Sequence, residues 1–534
     1  MSTSDIASVE SASENCLAQR NDIMALYESS PVYRVLFNED LFENVVRLLL
    51  GLGKGRNHGS VASLACASRE FMHTALRVLW ERMWSLVPLL KTVPGLVWKS
   101  SPINSGDGVQ WHVVVPQDDP TMLALDTAAF RRYSAYIKCF AWLTNDEITP
   151  GTFKFFGLAL SSVRPWFPSI RSLVWFERRM VVTLPPVWVF GVPSLEGFFI
   201  TASRYEKWTL INILKGLPER CPDLQHLSIQ NPVHPEDTRL EESSDFAAAF
   251  TGFLHKCIEI SSGAPNLRTL LLCVPIQWED IMTLAQMPRL EELAIHVSKE
   301  EPKDFEALPV FAFQGLLILK LCLETLGGHG VVVRLLDGIG SLRLKDIDVS
   351  IAHVAPRERM VHQLFETLSR SAYRQAVERL AYKAAAHQTD DSSQVLSVSM
   401  CTLQPLLQLS NLASLSVTVP NLYLEMDDFC TLSKAWPHLT AIDLQQTAGI
   451  TYIFPVDWLA PFALYSLKLK TITGIDVMEA IPGESLAAFT DAPNPATPVE
   501  AVACGVYEDK QSVRDYLGVD FFFLATCHVD HSQR

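Results

Sequence analysis

The chain has 534 residues, 48% apolar and 19% charged, so most of it is expected to fold into buried cores rather than stay disordered. It carries 44 Lys and Arg against 59 Asp and Glu, and the resulting net charge of −15 disfavours nucleic acid or an anionic membrane surface as a partner. No apolar run approaches the roughly 18 residues of a membrane-spanning helix, and the eleven cysteines include no C-x-x-C pair, which indicates reduced, mostly buried thiols.

The first segment, residues 1–30, is polar and lacks the basic start and apolar stretch of a signal peptide. No Asn lies in an N-x-Ser/Thr sequon. Both features fit a protein of the cytoplasm, the nucleus or both.

Residues 31–95 have a helical pattern and are expected to form a module of three short helices. Asn38 is a good N-cap for the first helix, and the second and third are predicted near residues 60–69 and 71–84. The first helix has a wide apolar face made of Leu41, Phe42, Val45, Val46, Leu48 and Leu49. So small a unit leaves apolar surface unburied, and we expect it to dock on a partner or on the following domain.

Residues 96–130 are interrupted by Gly, Pro and Asp and are interpreted as a linker, after which residues 131–480 carry a repeat. The unit is an apolar residue, two of any kind, an apolar residue, one of any kind and an apolar residue, as in PDLQHLSI and PRLEELAI. The first apolar positions are mostly 23 to 29 residues apart, and the longest gap leaves room for an irregular repeat around Val377 to Tyr382. In five units a Pro stands two residues before the first apolar residue, where it ends a helix and favours an extended chain.

The stretches between these units have helical periodicity, so each repeat is expected to be a helix followed by a short strand. We therefore predict an α/β protein in which an N-terminal helical module precedes an irregular leucine-rich-repeat solenoid, with parallel strands on the concave side and helices on the convex side. The Asn or Cys usual at the ninth position is absent, which predicts uneven loops. An ordinary α/β domain with coincidental Leu spacing is the alternative.

The remaining residues, 481–534, form a Pro/Ala-rich segment and a tail, whose last thirty residues are expected to return to the core as a helix and strand. Three groups resemble chemical motifs without matching them: GLGKG at 51–55 lacks the Walker spacing, GGHG at 327–330 has no accompanying nucleophile elbow, and CHVDH at 527–531 fits no standard zinc pattern. We expect no enzymatic activity, no cofactor and no bound metal.

The order of an ENVVRLLL helix, a loop, SLACASREF and ALRVLWERMWSLVPLL resembles the F-box, and more specifically the fungal F-box proteins in which the motif runs directly into leucine-rich-repeat-like units. The family usually opens with a Leu-Pro pair, where this chain has Leu36-Phe37. The resemblance implies a substrate-recognition subunit of an SCF-type cullin-RING ubiquitin ligase, which binds a SKP-type adaptor through the F-box and an unknown protein substrate through the repeats. It assigns adaptor binding to Leu36, Leu41, Phe42, Val45, Leu49, Leu64, Phe71, Leu76, Leu79 and Trp80.

Side chains alternate between the two faces of a strand, so the polar positions of each unit are expected on the concave surface, where a substrate would bind. The candidate substrate-binding residues are His226, Ser228, Glu292, His296, Lys320, Asp346, Asp348, Lys468 and Lys470. Their order predicts an acidic patch in the middle of that surface and a basic one near its C-terminal end. A solvated sheet face without a binding role is the alternative.

Two other functions stay open on the sequence alone. The first alternative to a ligase subunit is a repeat scaffold without a ligase role, in which the helical module only caps the solenoid. The second is an unrecognised hydrolase that uses the glycine runs or the Cys and His residues of the tail.

Overall fold

The structure is a computed structural model. The residues that it describes are 32, 38–51, 58–102, 109–114, 126–142, 148–177, 192–202, 207–230, 244–260, 266–297, 308–309, 312–323, 328–351, 357–384, 396–447, 454–455, 460–466, 468–473, 477–478 and 501–503.

Fourteen strands of the described residues form one open sheet in which the spatial order of the strands follows the chain and every pairing is parallel. The strands are β1 Arg82–Met83, β2 Cys139–Trp142, β3 Ser172–Glu177, β4 Gly197–Ala202, β5 His226–Gln230, β6 Thr269–Ile276, β7 Glu292–Val297, β8 Ile318–Leu323, β9 Asp346–Ile351, β10 Arg379–Ala384, β11 Ser414–Val419, β12 Ala441–Gln446, β13 Thr471–Thr473 and β14 Ala501–Ala503.

Helices connect most of these strands. They are α1 Glu39–Gly51, α2 His58–Ala67, α3 Arg69–Glu81, α4 Val87–Leu90, α5 Ala128–Ser134, α6 Pro150–Ala159, α7 Lys207–Arg220, α8 Ser244–Ile260, α9 Trp278–Leu284, α10 His329–Gly338, α11 Glu358–Arg370, α12 Met400–Leu403, α13 Met426–Ala435 and α14 Ala460–Tyr465.

The repeat with β7 shows how the apolar spacing builds the core. Leu293, Ile295 and Val297 are buried, like Leu290 before them, whereas Ala294 and His296, which alternate with them, point to the opposite, partly exposed face. The register aligns Leu293 with the equivalent buried residue of each neighbouring strand, so the buried side chains form continuous rows across the sheet. Each repeat therefore buries its apolar face against its neighbours, as expected of a solenoid.

A ladder of backbone hydrogen bonds joins the turns that precede the strands. The amide of Glu291 donates to the carbonyl of Arg268 at 2.7 Å, that of Leu317 to Glu291 at 2.8 Å, and that of Lys345 to Leu317 at 2.9 Å. This ladder satisfies turn amides without side-chain help, so the strands stay in register although the Asn ladder is absent. The prediction of an irregular leucine-rich-repeat solenoid is confirmed.

The hidden repeat is present. Val377 is fully buried and precedes β10, which lies between β9 and β11 in the sheet. The register predicted from the sequence is wrong in one repeat. β13 aligns Ile472 with Ile442, so the first buried residue of that repeat is Leu469, and not Leu464. The closely spaced Leu464, Leu467 and Leu469 allow several registers, and only the pairing with β12 selects one.

The sheet begins earlier than the sequence indicated. Its first strand, β1, directly follows α3 inside the span assigned to the helical module, and it pairs with β2. Part of the expected linker is an antiparallel hairpin of Val97–Pro102 and Val109–Val114. The amide of Val113 in that hairpin donates to the Thr152 hydroxyl of α6 at 3.0 Å, which ties the hairpin to the solenoid.

The three helices α1 to α3 have a small core of their own, separate from the large core of the solenoid. Phe42 and Val46 of α1 pack there against Val61 of α2 and Val78 of α3. This confirms the expected three-helix module. The predicted return of the last thirty residues to the core lies outside the described residues, as does the GLGKG loop after Gly51.

Truncation of a core leucine in either of two distant repeats should destabilise the solenoid. Leu227 and Leu293 are fully buried, so Leu227→Ala and Leu293→Ala are each expected to lower the free energy of unfolding by about 2–5 kcal/mol. Thermal melting measures the loss. The matched control is Leu158→Ala, at an exposed leucine, which should melt like the wild type; equal melting of all three variants would contradict the register.

Candidate functional site

Helix α1 carries an exposed apolar stripe. Leu41, Val45, Leu48 and Leu49 lie on one face of the helix, and Leu48 and Leu41 are 64% and 46% exposed. Phe42 and Val46, on the adjoining part of the same wide apolar face, are buried in the small core. The helix therefore uses one part of its apolar face to hold the module together and leaves the adjoining part exposed, a feature typical of a protein-binding surface. We call these four residues the α1 stripe.

The ten predicted adaptor-binding residues fall into separate groups. Leu41, Val45 and Leu49 are exposed in the α1 stripe, whereas Phe42 is buried and only 3% exposed. Leu36 lies outside the described residues. The other five are partly buried and serve packing: Leu64, Phe71, Leu76 and Leu79 in the small core, and Trp80 against the solenoid core.

Leu48 is the most exposed member of the stripe, and the resemblance did not assign it. The sequence placed it on the apolar face of α1 but did not show which part of that wide face would be buried. Only the packing of α2 and α3 against Phe42 and Val46 distinguishes the two halves of the face.

A network of charged side chains fixes α1 relative to the sheet. Arg47 of α1 donates to Glu43 one turn earlier at 2.6 Å and contacts Glu81, at the end of α3, at 2.5 Å. Glu81 also contacts Lys138, which precedes β2, at 3.3 Å, and Arg77 of α3 pairs with Glu43. The hydrogen bonds from Arg47 hold the pKa of Glu43 below its ordinary value, so the carboxylate stays charged and the network persists at neutral pH.

A ring contact reinforces this connection. Trp80 of α3 stacks on Tyr133 of α5, with ring centroids 4.8 Å apart and an angle of 14° between the rings. The α1 stripe is therefore presented from a module that is held against the first repeats.

On the concave face, the opposite charges of the middle strands lie beside one another. Lys320 of β8 contacts Glu292 of β7 at 3.3 Å, although Glu292 is only 8% exposed. Arg379 of β10 contacts Asp346 of β9 at 2.7 Å. The register also aligns Asp348 with Lys320.

The predicted bipolar surface was therefore wrong. The acidic residues are in the middle as expected, but Lys320 and Arg379 are interleaved with them and offset their charge. Lys468 and Lys470 precede β13 rather than lying in it, and both are exposed in the turn before the strand. Lys468 contacts the ring of His438 there at 3.3 Å.

The remaining substrate candidates are mostly covered. Ser228 is only 2% exposed and cannot be a major contact for a partner. The Nδ1 atom of His226 lies 3.0 Å from the Thr269 hydroxyl, and burial, aided by the nearby Arg268, holds the pKa of His226 below its ordinary value. His296 is half-buried in β7. Of these three side chains, only the two histidines therefore present part of their surface to a partner.

The described residues contain some of the candidate chemical groups of the sequence. They include no group of three or more His, Cys, Asp or Glu side chains that could hold a metal ion. In GGHG, Gly328 is the N-cap of α10, and His329 is buried with its Nε2 atom 2.8 Å from the Met360 carbonyl. Burial raises the pKa of Cys221 to about 11 and of Cys257 to about 12, so neither is a reactive thiolate at neutral pH. The tail with Cys527 lies outside the described residues.

None of the helices in the described ranges is long and apolar enough to cross a membrane.

No family model matches the chain, and no curated protein matches it. Similar solved structures include the complex of Rad7 and Elc1 in yeast, with 12% identity, a TM-score of 0.35 and coverage of 90% of this chain and 98% of that one. An internalin C2 from Listeria monocytogenes has 15% identity, a TM-score of 0.22 and coverage of 40% and 72%. A complex of TLR13 with ssRNA13 has 11% identity, a TM-score of 0.22 and coverage of 65% and 59%. At these scores the likenesses carry no argument about function, and the fold is defined by the parallel sheet itself.

Two neighbouring residues of α1 should respond differently to truncation. Phe42→Ala removes a buried ring whose centroid lies 4.8 Å from that of Phe71, and it should cost about 3–5 kcal/mol of module stability. Leu41→Ala removes an exposed side chain and should change stability by no more than about 0.5 kcal/mol. Hydrogen exchange of residues 39–81 measures both, and equal protection in the two variants would contradict this division of α1.

The two ion pairs of the concave face should also differ. Lys320→Met leaves the carboxylate of Glu292 buried without its partner and is expected to cost on the order of 1–3 kcal/mol. Arg379→Met breaks a pair whose arginine is largely exposed and should cost at most about 1 kcal/mol. Urea unfolding of both variants measures the two losses of stability. A larger loss for Arg379→Met than for Lys320→Met would contradict this expectation.

Proposed function

We propose that this protein is the substrate-recognition subunit of an SCF-type cullin-RING ubiquitin ligase, in which α1 to α3 act as an F-box that binds a SKP-type adaptor. The observation that carries the proposal is the α1 stripe, an exposed apolar surface, led by Leu48 and Leu41, on a module that already has its own core. The F-box resemblance of residues 36–84 gives this surface its proposed partner.

The arrangement of the two parts supports the proposal. A receptor has to hold its substrate at a fixed distance from the rest of the ligase, and here the charged network around Glu81 and the stacking of Trp80 on Tyr133 join the module to the sheet. The solenoid behind it offers a continuous sheet face for a protein substrate. The proposed role is one of binding, without catalysis by this chain, in the cytoplasm or the nucleus.

The alternative is a repeat scaffold without a ligase role, in which the module only caps the first repeats. Partial burial of Trp80 and Met83 against the solenoid core favours some capping. A cap alone, however, gives no reason for four exposed apolar side chains on α1.

Co-purification with a SKP-type adaptor tests the proposal. The variant Leu41→Ala/Leu48→Ala should weaken adaptor binding at least about 30-fold, because apolar anchors at the centre of an interface commonly contribute about 2 kcal/mol or more. Isothermal titration calorimetry with purified adaptor gives the change in affinity, and thermal melting shows that the variant is folded.

The matched control is Val97→Ala/Leu158→Ala, which truncates two exposed apolar residues outside the module. It should bind the adaptor like the wild type. Wild-type protein that does not bind the adaptor, or a stripe variant that binds as tightly as the control, would favour the scaffold.

A further inference from the structure

The turns before the strands form a rim along one edge of the sheet, and their side chains are arranged in two rows. The inner row, just after each first buried residue, contains the ion pairs Arg171–Glu196, Arg268–Glu291 and Lys345–Glu378. The outer row, just before that residue, contains Asn266, Arg289, Gly315 and Arg343 in successive repeats. Opposite charges in neighbouring repeats thus pair along the inner row. The four residues of the outer row include two arginines and no acidic residue, so their charge is not balanced within the row.

The rows are interrupted at the repeat of β8. Its inner residue is the uncharged Leu317 and its outer residue is Gly315. A Cβ atom on Gly315 would lie 2.6 Å from the carbonyl oxygen of Pro288, so the close approach of these two turns excludes a side chain here. The result is a depression one repeat wide between Arg289 and Arg343.

This depression is a cleft of about 390 Å³. Its lining residues are Arg268, Pro288, Arg289, Glu291, Gly315 and Arg343. We call it the rim cleft. It is open to solvent, and Pro288 and Gly315, whose backbones approach closely, both belong to its lining.

Three arginines and one glutamate give the rim cleft a formal charge of +2, in a chain whose net charge is −15. Arg268 contacts Glu291 at 3.5 Å, and Arg289 donates to the side-chain oxygen of Asn266, which carries no charge. Arg343 forms no ion pair with any of the described residues. A local charge of this sign, left uncompensated, indicates an anionic ligand.

The size of the charge and the type of residue narrow the ligand. A phosphoryl group carries about −1.5 to −2 at pH 7 and offers three acceptor oxygens, which matches +2 better than one carboxylate does. Arginine rather than lysine supplies all three positive charges, and its planar fork binds phosphoryl oxygens in pairs.

An apolar contact lies next to this charge. Leu342, in the same turn as Arg343, is 68% exposed. Such a side chain offers nothing to a free phosphate ion, but it offers a contact to an apolar residue next to a phosphorylated one. We propose that the rim cleft binds the phosphoryl group of a phosphorylated peptide segment, with an apolar neighbour of that residue against Leu342.

As a statement about substrates, this inference rests on the proposed function. As a statement about binding it does not, since the rim cleft is far along the sheet from α1 and needs no adaptor. The test therefore uses the full chain alone.

Fluorescence anisotropy is measured with a pool of degenerate nonapeptides that have phosphoserine fixed at the centre. Pools with Ser or Glu at that position, and inorganic phosphate as competitor, are measured at the same ionic strength. The phosphoserine pool should bind at least about 10-fold more tightly than the Ser pool and the Glu pool, which corresponds to a difference in binding free energy of about 1.4 kcal/mol.

Arg289→Ala/Arg343→Ala should abolish that preference, and Arg289→Lys/Arg343→Lys should keep only part of it, because lysine retains the charge and loses the fork. The matched control, Arg69→Ala/Arg132→Ala, removes two exposed arginines outside the rim and should bind like the wild type. Leu342→Ala should weaken peptide binding and leave competition by inorganic phosphate unchanged.

Equal affinity for the phosphoserine and Glu pools would overturn the phosphoryl assignment. If inorganic phosphate competed as well as the peptide pool at equal concentration, the assignment of a peptide ligand would be wrong. If the control variant lost as much affinity for phosphoserine as the rim variant, overall charge and not the rim cleft would explain binding. Adaptor binding by Arg289→Ala/Arg343→Ala is expected to be normal, so a failure of the rim cleft and a failure of the proposed function give different results.

Discussion

The parallel stacking of strands through their turns is the constraint on which the rest of the structure depends. No repeat can bury its own leucines, and each turn amide finds its acceptor in the preceding repeat. Position along the chain therefore becomes position along the sheet, and residues hundreds of positions apart come to share one face or one rim. The two surfaces to which we assign functions lie at different places in this array.

The core of the solenoid was predictable because its pattern is local. Leu290, Leu293 and Ile295 are recognisable from spacing alone, and so is the turn that Pro288 introduces. Where the spacing is ambiguous, as in the alternating Leu and Lys residues before β13, local pattern does not select a register. The register is then set by pairing with the neighbouring strand β12, and in that register Lys468 and Lys470 precede the sheet instead of lying in it.

The surfaces were less predictable because they depend on contacts between distant residues. The sequence placed Phe42 and Leu48 on one apolar face, and only the packing of α2 and α3 shows that the first is core and the second is exposed. The sequence likewise gave no sign that Arg379 lies beside Asp346, or that Gly315 opens a space between Arg289 and Arg343. The order of charges along the chain does not predict the charge of a surface on which residues from separate repeats lie side by side.

The central claim is that α1 has one face for the module and one for a partner. Hydrogen exchange of the full chain, with and without a purified SKP-type adaptor, tests it most directly. We predict that the adaptor slows exchange in Glu39–Gly51 and leaves strands β5 to β11 unchanged, because the docking surface is confined to the module. Unchanged exchange in α1, or slowing in the concave strands instead, would contradict the account.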